Sequence, residues 1–451
     1  MRSLPRPDLH KTALVLAGGG LAGAMYEIGA LRAIDDSLTD RSVNDFDIYV
    51  GTSAGAIVGA LLANGATPEL MLSGLAGDLP GVRPIKRDDL FHFNLQDLLH
   101  LGIKLPRTLM GAWTNYLRYI NDATLADFVW SLSEALPAGL YDSHAMEKYM
   151  REIIGQFQGC NDFNRLPRDL HIVATDLDSG KRTVFSRESN QDVPISLAIA
   201  ASSAVPLLYK PVRIADHDYV DGSVLGNASI DIAIEHGATL VICINPLVPF
   251  DNSNHASVPF FGPYSGYLSE KGLTAVASQS GRVQSHGGLL YHIKQLRKTH
   301  PEVDIVLVEP GANDYQMSFS NVMRYATRLA IVQHGFETVT LNLAENYDYY
   351  NNLLSRHGIV ITERLVDEEL LALRGATDKP NALRRILERR PAPARHPPAS
   401  NVNQALGSLN DTLDDLAALL KDWPNRQARP LGNGQHHDDL VDAQIPARSI
   451  E

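Results

Sequence analysis

Two short apolar runs near the N-terminus each end in a glycine-containing turn that leads directly into a helix-like segment. The first run covers residues 13–17 and is followed by three glycines. The second ends a predicted strand over residues 45–50 and is followed by the sequence G-T-S-A-G. Apolar runs this short are typical of strands buried on both faces of a parallel sheet. Two such units in succession predict a βαβ unit, and therefore an α/β fold with a mainly parallel central sheet between helices.

The same region also has features of a signal peptide or a membrane hairpin, because residues 13–34 and 48–63 are apolar and glycine-rich and basic residues precede them. However, Glu27 and three consecutive glycines interrupt the first stretch, and each glycine costs a helix about 1 kcal/mol relative to alanine. The second stretch is shorter than the roughly 20 residues needed to span the hydrocarbon core of a bilayer. We therefore interpret both stretches as buried strand, tight turn and helix.

The chain has 451 residues, of which 44% are hydrophobic, and a formal net charge of −12. This length predicts more than one structural unit, and the hydrophobic fraction is sufficient for a sizeable core. The acidic balance argues against a nucleic-acid partner, because phosphate recognition needs a basic surface. Two cysteines, Cys160 and Cys243, cannot form a disulfide framework, so a reducing compartment is the simpler interpretation.

Later segments continue the alternation of strands and helices. Strands are predicted at residues 170–175, 183–185, 211–214, 219–220, 239–245 and 304–308. Helices are predicted at residues 144–154, with Ser143 as cap and Gly155 after the end, and at residues 196–201, 289–296 and 320–341. Residues 85–140 interrupt this pattern with many aromatic and leucine side chains and few strand signals, which predicts a helical insertion. Proline and polar residues dominate residues 376–451, which predicts a mostly disordered tail.

The turn after the second strand matches the pattern G-x-S-x-G, as Gly51-Thr52-Ser53-Ala54-Gly55. In this position a serine sits on a sharp turn with its hydroxyl projecting, the glycines permit close backbone approach, and the N–H group that follows can bind an oxyanion. The sequence therefore predicts a nucleophilic Ser53. The alternative is that Ser53 only caps the helix that follows.

The turn after the first strand matches G-x-G-x-x-G, through Gly18, Gly19, Gly20 and Gly23. In a dinucleotide-binding unit, an acidic residue should end the second strand about 20 residues later. Here the second strand ends in the serine turn instead. The N–H groups of the loop can alternatively form an oxyanion hole beside the serine, or the glycines can simply pack a helix close to the sheet.

A nucleophilic serine needs a proton acceptor, and no histidine in the sequence has a position that marks it as a general base. His171 lies within a predicted strand, His217 in a predicted hairpin turn and His236 at a predicted helix end. The pair Asp221-Gly222 is more distinctive, because it ends a predicted strand and follows the segment A-I-A-A-S-S-A-V-P.

Taken in order, G-G-G-x-x-G, G-T-S-A-G, A-S-S-A-V-P and Y-V-D-G resemble the motifs of the patatin-like phospholipase family. The resemblance is continuous from about Ala13 to Asn227 and weaker beyond. It implies a three-layer patatin-like fold with a catalytic domain over residues 13–227, completed by a further α/β segment over residues 228–375.

The same resemblance implies a Ser–Asp dyad, with Ser53 as the nucleophile and Asp221 as its partner carboxylate. It also implies an oxyanion hole formed by the loop from Gly18 to Gly23, to which Ala54 can contribute. No metal and no organic cofactor is expected. The third motif of the family usually reads D-G-G or D-G-A, whereas this chain has Ser223 in the last position. Serine is small and should fit there.

The function implied is hydrolysis of a phospholipid or a related acyl-ester lipid through an acyl-enzyme on Ser53. The apolar part of the insertion, residues 91–120, is a candidate lid or acyl-chain channel, or else packs as ordinary core. The sequence has no evident secretion signal, so we expect a cytoplasmic protein with peripheral membrane contact. Two alternatives stay open: a dinucleotide-binding protein that uses the glycine loop, and a catalytically inert scaffold that binds lipid or protein. The oligomeric state does not follow from the sequence.

Overall fold

The computed structural model describes residues 11–76, 81–94, 110, 137–157, 159–190, 192–253, 266–319 and 325–362. These residues all belong to one compact unit, Met1–Pro391, and a second unit, Ala392–Glu451, lies outside them. The predicted tail over residues 376–451 and most of the predicted insertion over residues 85–140 also lie outside the described residues.

The strands in the described residues are β1 (Lys11–Leu16), β2 (Ile48–Thr52), β3 (His92–Phe93), β4 (Gly139–Asp142), β5 (Asp169–Asp176), β6 (Lys181–Phe185), β7 (Leu207–Tyr209), β8 (Val212–Ile214), β9 (His217–Asp221), β10 (Ala238–Ile244) and β11 (Asp304–Val308). The helices are α1 (Gly20–Ser37), α2 (Ala54–Ala63), α3 (Pro68–Ala76), α4 (Arg87–Leu90), α5 (His144–Gln156), α6 (Ile195–Ser202), α7 (Ile230–Glu235), α8 (Leu273–Thr299), α9 (Tyr315–Phe319), α10 (Tyr325–Glu345) and α11 (Tyr347–Ser355).

Eight of the described strands form one sheet, in the order β11-β10-β1-β2-β5-β9-β8, with β6 paired to β5. The five strands from β11 to β5 are parallel to their neighbours. The strands beyond β5 pair in antiparallel fashion. The prediction of a mainly parallel central sheet is therefore confirmed, with an antiparallel edge.

Side chains of β1 alternate between two separate apolar cores, because successive residues of a strand point to opposite faces. Leu14 and Leu16 pack in the core shared with α1, α2 and α10. Ala13 and Val15 pack in the core shared with α7 and α8. The sheet is thus covered by helices on both faces, which explains the uninterrupted apolar runs and confirms the three-layer arrangement.

The central helix α1 packs closely against α10 through small residues. A β-carbon added to Gly29 would lie 2.0 Å from the carbonyl oxygen of Val332, and one added to Gly335 would lie 2.6 Å from that of Tyr26. The two backbones approach so closely that no side chain fits at either glycine. This contact holds α1, and with it the glycine loop at its N-terminal end, against the sheet.

Some sequence-predicted boundaries differ from those in the structure. The helix predicted over residues 289–296 extends over Leu273–Thr299 in the structure. The prediction missed its first half because that half contains serine and glycine rather than a periodic apolar stripe. The ends of the predicted helical insertion form the short helix α4 and the strand β3, which pairs with β4 in a second, three-stranded sheet.

Within the described residues, no single helix is long and apolar enough to cross a membrane, although the bent pair Ala54–Ala63 and Pro68–Leu75 would pass by length and composition.

Candidate active site

The registers of three neighbouring strands bring the two predicted reacting side chains to one level of the sheet. Thr52, the last residue of β2, pairs with Val173 of β5, which places Ser53 level with the next residue of β5. That next residue, Ala174, pairs with Asp221 at the end of β9. Ser53 and Asp221 therefore flank β5 where the strands end, the usual position of a functional site in an open α/β sheet.

Ser53 has an unusual backbone conformation, with φ at 55° and ψ at −117°. A non-glycine residue held in such a region costs on the order of 1–3 kcal/mol and persists only where its surroundings fix it. The Ser53 N–H donates to the Ser202 hydroxyl at 2.8 Å, and the Ser203 hydroxyl donates to the Ser53 carbonyl oxygen at 3.3 Å. These two bonds hold the peptide groups on both sides of Ser53, which is only 4% exposed.

The two glycines of the nucleophile turn, which comprises residues 51–55, have no room for a side chain. A β-carbon on Gly55 would lie 2.1 Å from the carbonyl oxygen of Leu16, and one on Gly51 would lie 2.5 Å from the carbonyl oxygen of Gly55. The start of α2 thus presses directly on the end of β1. The spacing of G-x-S-x-G is required by packing, and it brings Ser53 beside the glycine loop.

The two oxygens of the Asp221 carboxylate have different surroundings. Oδ1 accepts from the Ser223 N–H at 2.8 Å and from the Ser223 hydroxyl at 2.7 Å. Oδ2 is buried and accepts no hydrogen bond from the described part of the chain. The backbone of Asp221 is fixed as well, because its N–H donates to Ala204 at 2.9 Å and its carbonyl oxygen accepts from Thr175 at 3.1 Å.

Ser53 and Asp221 face one another. Burial raises the pKa of Asp221, which is 1% exposed, while the hydroxyls of Ser53 and Ser223 and the Ser223 N–H oppose that rise. The Ser53 hydroxyl is thus close enough to interact with the carboxylate, although the geometry of a standard hydrogen bond to Oδ2 is not reached. Catalytic hydrogen bonds are often loose in a free enzyme and tighten when substrate binds.

The three histidines considered in the sequence have other neighbours. His171 is buried in β5, where burial lowers its pKa to about 4, and neither ring nitrogen has a partner among the described residues. His217 contacts Asp176 at 2.8 Å, and His236 contacts Glu188 at 3.2 Å. None of the three hydrogen-bonds to the dyad, so Asp221 is the acidic or basic group that the described structure brings to Ser53.

The glycine loop after β1 lies directly against Ser53, since a β-carbon on Gly18 would be 3.4 Å from the Ser53 β-carbon. Two of its N–H groups are already engaged: Gly18 donates to the Asn227 carbonyl oxygen at 3.1 Å, and Gly23 donates to Gly19 at 3.0 Å. The N–H groups of Gly18 and Gly23 are therefore not available to bind an oxyanion. These two glycines contribute the close approach of the loop to its neighbours.

Among the glycines of this loop and the first residue of α2, the N–H groups of Gly19, Gly20 and Ala54 have no acceptor in the described residues. Gly20 and Ala54 are the first residues of α1 and α2, so the partial positive charge of two helix N-termini adds to these donors. This arrangement can stabilise a negative charge that develops next to Ser53.

Residues from the second half of the domain complete the walls of the site. Pro246 packs on the glycine loop, 2.5 Å from a β-carbon added to Gly19. The Asn227 side-chain amide donates to Asn245 at 2.7 Å. A cavity of about 940 Å³ opens beside Gly222, between the loop of residues 222–229 and α8.

The segment that contains Ser202 and Ser203 is distinctive in the sequence, but no role for either serine follows from the sequence alone. The same holds for the Ser223 hydroxyl and for Asn227. The repeated serine before a strand that ends in Asp-Gly was the available signal, but its meaning depends on contacts across about 150 residues of sequence. In the described residues, no group of three histidine, cysteine or acidic side chains could hold a metal ion.

Comparison with known proteins agrees with the resemblance seen in the motifs. Residues 14–234 match the family model of patatin-like phospholipases. The chain is 25% identical over 238 residues to the probable lipid hydrolase 463L of Invertebrate iridescent virus 6, covering 51% of this chain. It is also 25% identical over 227 residues to the uncharacterised protein YqhO of Bacillus subtilis strain 168, covering 48% of this chain. The matched regions span 66% and 64% of these two relatives, slightly less than two thirds of their length.

Solved structures with some likeness include VipD from Legionella pneumophila, at 14% identity with a TM-score of 0.32, covering 74% of this chain and 66% of that one. The type III effector ExoU is 18% identical with a TM-score of 0.23, covering 86% of this chain and 70% of that one. With TM-scores this low, the two superpositions do not support any conclusion about the family or function of this chain.

Proposed function

From the match of residues 14–234 to the patatin-like phospholipase family, we propose that the protein is a lipid acyl hydrolase in which Ser53 is the nucleophile and Asp221 the general base. One observation carries the proposal. A buried serine in a strained turn lies within interaction range of the carboxylate of a buried aspartate, one oxygen of which has no partner in the described residues, and free N–H groups lie beside the serine.

In the proposed reaction, the Ser53 oxygen attacks the ester carbonyl carbon while its proton passes to Oδ2 of Asp221. The N–H groups of Gly19, Gly20 and Ala54 bind the oxyanion of the tetrahedral intermediate. The leaving alcohol takes the proton from Asp221, and an acyl ester of Ser53 remains. Water then attacks this ester with Asp221 as base, releasing the fatty acid and returning the proton to Ser53.

An aspartate of ordinary pKa, about 3.9, is a weak base for a serine hydroxyl. Burial raises the pKa of Asp221, which makes its carboxylate a stronger base. Burial also removes water that would compete for Oδ2. These effects support a two-residue mechanism in which no histidine takes part.

The proposed substrate is a phospholipid or another acyl-ester lipid. The viral relative named as a probable lipid hydrolase supports this class. We further propose a cytoplasmic protein that contacts membranes peripherally. At a net charge of −12, that contact has to rely on apolar side chains rather than on attraction to anionic lipid. The predicted lid, residues 91–120, remains a proposal, because most of it lies outside the described residues.

The surroundings of the glycine loop favour a hydrolase over the dinucleotide-binding alternative, because Ser53 and Pro246 both pack directly against the loop. Only a measurement of activity can distinguish the hydrolase from the alternative of an inert scaffold.

The test is hydrolysis of phosphatidylcholine vesicles and of short p-nitrophenyl esters by the full chain. We expect Ser53→Ala and Asp221→Asn each to lower kcat by at least about 10³-fold while both variants stay folded. Wild-type protein that hydrolyses neither substrate, or variants that keep full activity, would refute the proposal.

A further inference from the structure

Ser223 makes two contacts with one oxygen of the candidate base. Its N–H and its hydroxyl both donate to Oδ1 of Asp221, at 2.8 and 2.7 Å, and Oδ2 has no partner among the described residues. We propose that Ser223 is a positioning residue of the dyad, which fixes Oδ1 so that Oδ2 stays aimed at Ser53. The inference rests on the proposed function, because it concerns the same two reacting groups.

Two donors on one oxygen restrict the rotation of a carboxylate. If the carboxylate of Asp221 turned about its side-chain bond, both bonds to Ser223 would break, and in a buried position water would not replace them. The backbone of Asp221 is held separately by Ala204 and Thr175. Ser223 therefore controls the orientation of the side chain and not the path of the chain.

The surroundings leave room for this hydroxyl. A β-carbon on Gly18 would lie 3.3 Å from that of Ser223 and 3.4 Å from that of Ser53. The absence of a side chain at position 18 thus leaves room for the side chains of both serines. Ser223 also lines the cavity of about 940 Å³, so its side chain lies at the boundary between the dyad and that cavity.

The bond from the Ser223 hydroxyl to Asp221 is not required to form the turn. In an Asp-x-Ser turn the N–H of the serine alone closes the turn on the aspartate. Asp251 and Ser253 form such a turn on the surface, with an N–H bond of 2.9 Å and a hydroxyl contact. There both contacts lower the pKa of an exposed carboxylate. At Asp221 burial outweighs the same pair of contacts, so the pKa is raised.

Charged neighbours do not account for the raised pKa of Asp221. On the adjoining strands, Asp176 is paired with His217 at 2.8 Å. In the cavity wall, Arg182 is paired with Asp231 at 2.6 Å. The pKa of Asp221 responds to burial, to Ser53 and to Ser223, and to no charged group in the described residues. Removing the Ser223 hydroxyl should therefore raise this pKa, because burial would then be less opposed.

The test uses the full chain with Ser223→Ala, which keeps the N–H donor and loses the hydroxyl, and with Ser223→Thr, which keeps both. Ser253→Ala is the matched control, since it removes the same hydroxyl from the same kind of turn at an exposed aspartate. The readouts are the pH profile of kcat/KM on a p-nitrophenyl ester and a ¹³C-carboxyl titration of Asp221, assigned by comparison with Asp221→Asn.

We expect the acid limb of the Ser223→Ala profile to move by about one unit towards higher pH, and the plateau to fall roughly three- to tenfold. Ser223→Thr should restore both, and Ser253→Ala should match wild type. A Ser223→Ala profile that superimposes on wild type, or that loses plateau activity without a shift of its acid limb, would overturn the inference. If the wild type proves inactive, the proposed function fails, and the titration still decides about Ser223: an unchanged Asp221 pKa in Ser223→Ala refutes it, and a raised pKa supports it.

Discussion

Replacing Ser202 with alanine would remove the hydroxyl that joins the nucleophile turn to β5. That hydroxyl accepts from the Ser53 N–H at 2.8 Å and donates to the Val173 carbonyl oxygen at 2.6 Å, and Ser202 is fully buried. The variant would leave two buried backbone groups without these partners. Each such group costs about 1–3 kcal/mol, so we expect the free energy of unfolding to fall by about 2–6 kcal/mol.

The neighbouring serine supplies the control. The Ser203 hydroxyl donates to the Ser53 carbonyl oxygen at the longer distance of 3.3 Å, and that oxygen also accepts from the Ala56 N–H at 3.0 Å. Its loss leaves the carbonyl satisfied, so Ser203→Ala should cost no more than about 1 kcal/mol.

The assay is urea unfolding of both variants, together with the rate at which Ser53 reacts with a fluorophosphonate probe. Ser202→Ala should react much more slowly than Ser203→Ala, because the strained turn that presents Ser53 depends on the Ser202 bond. Equal stability and equal reactivity of the two variants would refute this explanation of the turn.

Three further predictions concern stability. The pKa of buried His171 is lowered to about 4, so lowering the pH from about 6.5 to 4 should cost about 3 kcal/mol that a His171→Leu variant does not lose, as measured by urea unfolding across that range. Burial raises the pKa of Glu27, whose carboxylate has no partner in the described residues. The wild type therefore loses stability as the pH rises and Glu27→Gln does not, so the free energy of unfolding of Glu27→Gln minus that of wild type should be larger at pH 8 than at pH 5. An equal difference at both pH values would contradict this. Gly29→Ala should lower the free energy of unfolding by about 1–3 kcal/mol or more, because its β-carbon would lie 2.0 Å from Val332 O, whereas Gly155→Ala, with nothing within 4 Å, should be neutral or stabilising.

The sequence predicts the parts of this fold that depend on neighbouring residues. A short apolar run followed by glycines predicts β1 and its loop, and G-x-S-x-G predicts the turn at Ser53, because each signal lies within a few residues of the structure that it specifies. The helix α8 is predicted only in its second half, since serine and glycine on an exposed surface leave no apolar period in the first half.

Contacts between distant segments could not be read from the sequence. The bond from Ser53 to Ser202 joins residues 149 positions apart, and it requires the register of β2, β5 and α6 to be known. The same is true of the Gly18 N–H. From the loop sequence alone it is expected to be a free donor, but in the structure it donates to the Asn227 carbonyl oxygen. Ser53 is recognisable from the G-x-S-x-G motif between a strand and a helix, and Asp221 from the order of motifs that resembles the family. The residues that hold both side chains are recognisable only in the assembled sheet.

The central claim is that Ser53 is a nucleophile activated by Asp221. The most direct measurement is peptide mapping by mass spectrometry after the full chain has reacted with a fluorophosphonate probe. We expect a single adduct on Ser53 in the wild type, none in Ser53→Ala, and an adduct that forms at least about 10²-fold more slowly in Asp221→Asn. An adduct on another residue, or one that forms on Ser53 at the same rate without the Asp221 carboxylate, would contradict the claim.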